Sequence, residues 1–278
     1  MAKKVINFKD KLEKISKKNN SLVCIGLDPE TQKLPKHLLK KTDPFFEFNK
    51  KIIDATHDLI CAFKPQIAFY EAEGPKGLKS LKKTIEYLQR KHPQIPTIID
   101  MKRGDIGNTA KMYAKAAFEY WQVDAITAFP NLGYDAVKPF LEYKDRYIFF
   151  LVKTSNPDAK MFQDVKVGKK PFYLYLAQKI KKWPGKNVGV FVGATYPKEL
   201  AQIRQIFPSR PILTAGIGAQ GGEAKEAVRA GVNKQGLNLV CNAARSIIYA
   251  ASGKGFAQAA RKQAFLLKNT INKYRGTT

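Results

Sequence analysis

Short apolar runs alternate with longer stretches in which apolar residues recur every three or four positions, and the alternation runs along the whole chain. The runs at 22–27, 60–63, 96–99, 123–129, 147–152, 188–193, 211–214 and 236–240 have the length of buried strands. Between them lies helical spacing, clearest over 74–91, where Leu78, Leu81, Ile85 and Leu88 fall on one face. Helices are also expected near 45–59, after Tyr134, around 173–182, from Pro197 onward, and over 256–274. Tyr113, Ala116, Ala117 and Tyr120 predict a buried stripe on the helix after the third strand. A further surface helix over 8–18, with Leu12 and Ile15 among lysines, precedes the first strand.

Strands that alternate with helices imply a parallel sheet. Eight such units with none left over predict a closed (β/α)8 TIM barrel with an extra N-terminal helix and a C-terminal helix. No stretch rich in Ser, Gly or Pro divides the chain, so residues 1–278 are read as one barrel domain.

Composition changes this picture little: 44% apolar and 26% charged residues are ordinary for a soluble domain. The formal net charge of +26 is unusual. A nucleic-acid surface, an acidic membrane surface and a field that gathers small anions all fit it. The even spread of lysines favours a plainly solvated surface, and no zinc-finger spacing or aromatic-and-basic motif supports nucleic acid. Cys24, Cys61 and Cys241 are far apart and odd in number, which predicts free core thiols in a reducing compartment. No apolar run has the length of a membrane span and no signal region follows Met1, so a cytoplasmic location is expected.

In such barrels the chemistry sits where strands end. That rule selects Asp28, Lys64, Asp100, Lys102, Ser155, Gln220 and Arg245. Each has a plainer reading: Asp28 before Pro29 and Ser155-Asn156-Pro157 as turns, Lys64 as a surface lysine, and Asp105 as a helix cap. Asp100 and Lys102 stand two apart on the third strand and are expected on one face, with Gly104 turning the chain toward Asp105 and Thr109. Carboxylate, ammonium and carboxylate gathered this closely are costly to desolvate, which marks a functional cluster. Lys102 between the two carboxylates supplies the positive charge a metal would bring, so no metal is expected.

Gly216, Gly218 and Gly221 fit G-x-G-x-x-G, yet no Asp or Glu follows Glu226 to hold a ribose. Their place after the seventh strand instead suits the phosphate site of a barrel, with Arg245 as a second grip. No histidine lies at a strand end, and no nucleophile elbow or zinc-protease motif occurs.

The run Asp100-Met101-Lys102-Arg103-Gly104-Asp105-Ile106 with Thr109 resembles the D-x-K-x-x-D-I-x-x-T signature of the orotidine 5′-phosphate decarboxylases, in the form of the longer bacterial branch. The likeness extends through Gly26-Leu27-Asp28-Pro29, Phe63-Lys64-Pro65, Thr154-Ser155-Asn156-Pro157, Val192-Gly193-Ala194-Thr195-Tyr196-Pro197, Gly216-Ile217-Gly218-Ala219-Gln220-Gly221-Gly222 and Asn242-Ala243-Ala244-Arg245. Ala215 and Ala244 depart from it, where the branch commonly carries Pro and Ser.

The resemblance implies cofactor-free decarboxylation of orotidine 5′-monophosphate to uridine 5′-monophosphate in de novo pyrimidine biosynthesis. By that likeness Lys102 protonates C6, Asp100 lies against the substrate carboxylate, and Lys64 and Asp28 hold the ribose. Ser155 meets the pyrimidine, while Gly216, Gln220 and Arg245 hold the phosphate. Family members are dimers with shared sites, so Asp105, Ile106 and Thr109 are expected to serve the partner's site. A magnesium-dependent sugar-phosphate lyase on the same barrel is the rival reading.

Overall fold

The computed structural model describes residues 7–217 and 221–276, and for 221–223 the backbone only. Gly218 and Gln220, both expected at the phosphate loop, therefore lie outside the described residues.

Eight parallel strands form the barrel: β1 (Val23–Gly26), β2 (Ala62–Lys64), β3 (Ile98–Arg103), β4 (Ala125–Ala128), β5 (Tyr147–Lys153), β6 (Val188–Val192), β7 (Ile212–Ala215) and β8 (Leu239–Ala243). Their order is β2-β1-β8-β7-β6-β5-β4-β3. The ring closes between its two ends through parallel bridges from Phe63 to Thr97 and from Gln66 to Asp100. Helices cover the outside while side chains fill the inside, so the strands are predominantly apolar, with their charged residues toward the ends. Among the described residues no helix is long and apolar enough to cross a membrane.

The N-terminal helix Phe8–Lys18 is capped by Asn7, whose side chain accepts from the Asp10 N–H. It buries Phe8, Leu12 and Ile15 against the end of the barrel where strands begin, and Phe8 stacks on Tyr147 at 4.9 Å. The C-terminal helix Phe256–Tyr274 packs on Pro44–Thr56, with Phe256 stacked on Phe48 at 5.1 Å. All three cysteines are free and buried.

Two local expectations are corrected, and one link carries structure that the sequence pattern does not announce. Strand β8 begins at Leu239 rather than at 236, because Gly236 and Asn238 adopt φ of 67° and 61° and break the extended chain before it. The stripe after β3 is also displaced. Helix Gly107–Lys115 passes into a π-helical turn, Ala116–Tyr120, whose wider pitch shifts the phase. Ala110, Ala114, Ala117 and Phe118 are buried, whereas Tyr120 is exposed and Tyr113 and Ala116 only half-buried. Finally, the link from β5 to helix Phe172–Lys182 carries its own structure: a one-turn helix, Lys160–Gln163, and a small hairpin pairing Lys166–Val167 with Lys170–Pro171. No apolar period announces so short and exposed an insertion.

Candidate active site

The rim where the strands end gathers the charged groups. Asp100 is held from both sides: Lys64 Nζ lies 2.8 Å from one carboxylate oxygen and Lys102 Nζ 2.6 Å from the other. Lys64 and Asp100 are buried, while about two-fifths of the Lys102 side chain (39%) faces the open mouth. Burial works against the charged Asp100 carboxyl, but the two ammonium groups more than offset it and hold it well below the usual carboxylate range. Burial likewise opposes the Lys64 charge, and Asp100 and Asp28 outweigh it, so Lys64 is raised. Asp28 joins without touching either lysine: its Oδ1 accepts from the Gln66 N–H at 3.1 Å, and burial raises its carboxyl despite Lys64 nearby.

Asp100 and Lys102 meet by a route that strand alternation does not describe. The β3–β4 register shifts between Ile99 and Arg103, and Lys102 adopts a left-handed φ of 45°. Such a conformation costs a non-glycine residue of the order of 1 kcal/mol and needs support. Thr127, near the end of β4, provides it. Its hydroxyl accepts from the Met101 and Lys102 N–H groups at 3.2 and 3.1 Å and donates to Asp100 Oδ1 at 2.7 Å. One buried side chain thereby fixes both the bulge and the carboxylate. Sequence reasoning missed Thr127 because it carried β4 to residue 129, which placed Thr127 inside the strand rather than at its end.

Gly104 follows the end of β3, and glycine is needed there for close packing. Its φ is not left-handed, but a Cβ would come within 2.4 Å of the Phe129 carbonyl oxygen. Beyond it, Asp105 accepts a bond from the Ile106 N–H and forms no ion pair with Lys102 in the single chain. Ile106 and Thr109 are exposed. The structure thus gathers Asp28, Lys64, Asp100 and Lys102, and leaves Ile106 and Thr109 exposed and Asp105 half-buried and unpaired with the cluster.

Ser155 stands on the same rim, exposed after β5. The preceding residues are tied down by the insertion: Gln163 accepts from the Thr154 N–H at 2.9 Å and donates to its hydroxyl at 2.8 Å. Lys153 is fully buried, ion-paired to Asp164, with the Tyr173 and Tyr196 rings 5.3 and 4.7 Å from its ammonium. Neither Lys153 nor Gln163 was among the expected site residues, since a lysine closing a strand reads as a surface group. Gly216 follows β7 with a left-handed φ of 96°, and exposed Arg245 opens the single helical turn Arg245–Ile248 after β8. The Asp28 loop is clamped by Tyr249, whose hydroxyl accepts from the Glu30 N–H and donates to the Asp28 carbonyl. Among the described residues no three His, Cys, Asp or Glu side chains are grouped to hold a metal ion.

The Asp100 pairing makes a stability prediction. Asp100→Asn leaves buried Lys64 without its nearest counter-charge and should cost about 3 kcal/mol at neutral pH. Because folding depresses the Asp100 pKa, its contribution is present above the unfolded carboxylate value near pH 4 and is lost as pH falls toward the folded value. The wild-type advantage over Asp100→Asn in chemical denaturation should therefore shrink below about pH 4. An advantage independent of pH would refute the pairing.

Comparison with known proteins places these features in context. Residues 21–260 match the family model described as Orotidine 5'-phosphate decarboxylase / HUMPS family. The orotidine 5'-phosphate decarboxylase of Cupriavidus necator is 43% identical over 272 residues, covering 97% of this chain and 99% of the relative. That of Cellvibrio japonicus is 45% identical over 271 residues, covering 96% and 98%. The solved structure of Leishmania donovani OMP decarboxylase superposes with a TM-score of 0.82 at 34% identity, covering 97% of this chain and 99% of that one.

Proposed function

The chain belongs to the orotidine 5′-phosphate decarboxylase / HUMPS family, and on that premise we propose that its strand-end cluster removes CO₂ from orotidine 5′-monophosphate to give uridine 5′-monophosphate in pyrimidine biosynthesis. The observation that carries this reading is the Asp100 carboxylate bound on one side by Lys64 and on the other by partly exposed Lys102. A sugar-phosphate lyase is the lesser reading, because near-full-length relatives at 43% and 45% identity are named decarboxylases.

In the proposed reaction the bond from C6 to the carboxyl carbon breaks and its electron pair stays on C6. CO₂ departs, and Lys102 Nζ passes a proton to C6. The ammonium is fixed in place before charge develops, which is where electrostatic stabilisation contributes most. Asp100 meets the substrate carboxylate as a like charge that is relieved as CO₂ leaves. Lys64 and Asp28 hold the ribose, Ser155 the pyrimidine edge, and Gly216, Gln220 and Arg245 the phosphate. Grip on that remote phosphate can offset the strained contact at C6. The net charge of +26 draws the multiply anionic substrate toward the mouth.

The functional unit is a homodimer in this proposal, with Asp105, Ile106 and Thr109 entering the partner's site. Four large apolar side chains on this flank support it: Ile106, Met112, Phe129 and Leu132 are 60%, 59%, 39% and 59% exposed. Apolar groups so exposed mark a contact surface. The three free thiols suit the reducing cytoplasm.

The test of the activity is loss of orotidine 5′-monophosphate absorbance with protein stripped by a chelator. Full turnover is expected, and turnover that appears only with added divalent metal would contradict the reading. A second expectation concerns the anchor under Ser155. Lys153→Met should free that strap and raise KM about tenfold while kcat changes little, since only uniform binding is lost. Unchanged KM in steady-state kinetics would remove Lys153 from that role.

A further inference from the structure

Strand β4 is buried along its whole length, and Thr127 is its one polar side chain. At 1% exposure this residue is shut off from the mouth of the barrel and from anything bound there. A buried hydroxyl is costly unless bonded, and this one is bonded to capacity. A hydroxyl has one proton to donate and two lone pairs that accept. Thr127 Oγ1 accepts from the Met101 and Lys102 N–H groups and donates to the Asp100 carboxylate, so its bonds end on three consecutive residues of β3.

The register of the strands explains why a side chain is needed there. Ile99 pairs with Ile126 and Arg103 with Ala128, so β3 advances four residues while β4 advances two. The surplus has no facing residue in β4, which makes the stretch a bulge. Within it Lys102 takes its left-handed φ of 45°, and its ammonium reaches the carboxylate two residues earlier at 2.6 Å. Lys102 and Thr127 bond the same oxygen, Asp100 Oδ1, while Lys64 bonds Oδ2. The carboxylate is therefore held at both oxygens without Lys102, and it keeps its place when Lys102 Nζ gives up a proton.

On the decarboxylase reading, on which this inference rests, we propose that Thr127 is a positioning residue of the reaction. Its hydroxyl sets the aim of Lys102 Nζ at C6 by tying the bulge to the carboxylate, and it touches no substrate itself. Reaction geometry is sensitive at this scale, since a displacement of about 1 Å can cost about 10²-fold in rate.

The test is steady-state kinetics of the full chain carrying Thr127→Ser, Thr127→Cys or Thr127→Val, beside titration with uridine 5′-monophosphate. Serine keeps the hydroxyl but loses the methyl that restricts χ1, cysteine offers a weak donor and acceptor, and valine keeps the shape and bonds nothing. Turnover should fall in that order, by about 10²-fold for Thr127→Val, while KM and product affinity change less than about threefold. A role in packing alone predicts the reverse order, because valine is closest to threonine in shape. That reverse order, an unchanged kcat in all three variants, or a loss carried in KM would overturn the proposal. Serine against cysteine decides the order by itself if the valine variant does not fold. Thr214→Val is the control: it removes an equally buried hydroxyl, from β7, that has no partner among the described residues. Its kinetics should match wild type, and a loss equal to that of Thr127→Val would also overturn the proposal. A wild-type protein that fails to turn over orotidine 5′-monophosphate would overturn the decarboxylase reading itself, whereas an active wild type beside an unaffected Thr127→Val would overturn the role of Thr127 alone.

Discussion

Lys102→Ala is expected to lower turnover of orotidine 5′-monophosphate by at least about 10⁴-fold, because it removes the proton donor and the fixed cation together. Binding of uridine 5′-monophosphate should survive, since the groups proposed for ribose, base and phosphate are untouched. The fold should survive as well. Alanine bears the left-handed φ of 45° no worse than lysine, and Thr127 still accepts from both N–H groups of the bulge. Asp100 keeps its bond to Lys64 at 2.8 Å. The prediction is a collapse of kcat with product affinity nearly intact, measured by steady-state kinetics beside product titration. Activity near wild type would strip Lys102 of its role.

The contrast with Asp100→Asn is informative. Lys64 is buried, so its counter-charge is a matter of folding as well as chemistry, whereas Lys102 faces the mouth and its removal is mainly chemical. Two lysines on one carboxylate thus separate a structural charge from a reactive one.

Much of this was legible in the sequence because barrels translate pattern directly into place. A strand buried on both faces is an apolar run, and the polar residues that follow that run land on the rim, as Lys64 and Asp100 do. Helices Phe8–Lys18, Gly74–Lys91 and Phe256–Tyr274 kept their expected bounds, since each carries a sustained period with a capping residue or proline or glycine at an end. What escaped was non-periodic. The bulge that brings Lys102 onto Asp100 depends on a hydroxyl from the next strand, 25 residues away. The π-helical turn at Ala116–Tyr120 changes the phase of an otherwise readable helix. Lys153 is buried where Tyr173, Tyr196 and Asp164 of the insertion, all from later in the chain, converge on it. Such features arise between elements, where pairing across the fold decides and local pattern is silent.

The central claim is that one decarboxylation site is built from Asp100 and Lys102 of one chain and Asp105 of another. Asp105 forms no hydrogen bond or ion pair with the cluster within its own chain, although it follows Lys102 by three residues, and the flank that carries it is apolar and exposed. Asp105→Ala alone should therefore lower turnover by at least about 10²-fold, through loss of a charge beside the reacting lysine. The decisive measurement mixes that variant with Lys102→Ala, each nearly inactive, and lets subunits exchange. In a mixed dimer one site carries both substitutions and the other carries neither. An equal mixture in which subunits pair at random places mixed dimers in half the population and should recover roughly a quarter of wild-type activity per site. If Asp105 instead served its own chain, every site would retain one defect, and a mixture no more active than its components would contradict the account.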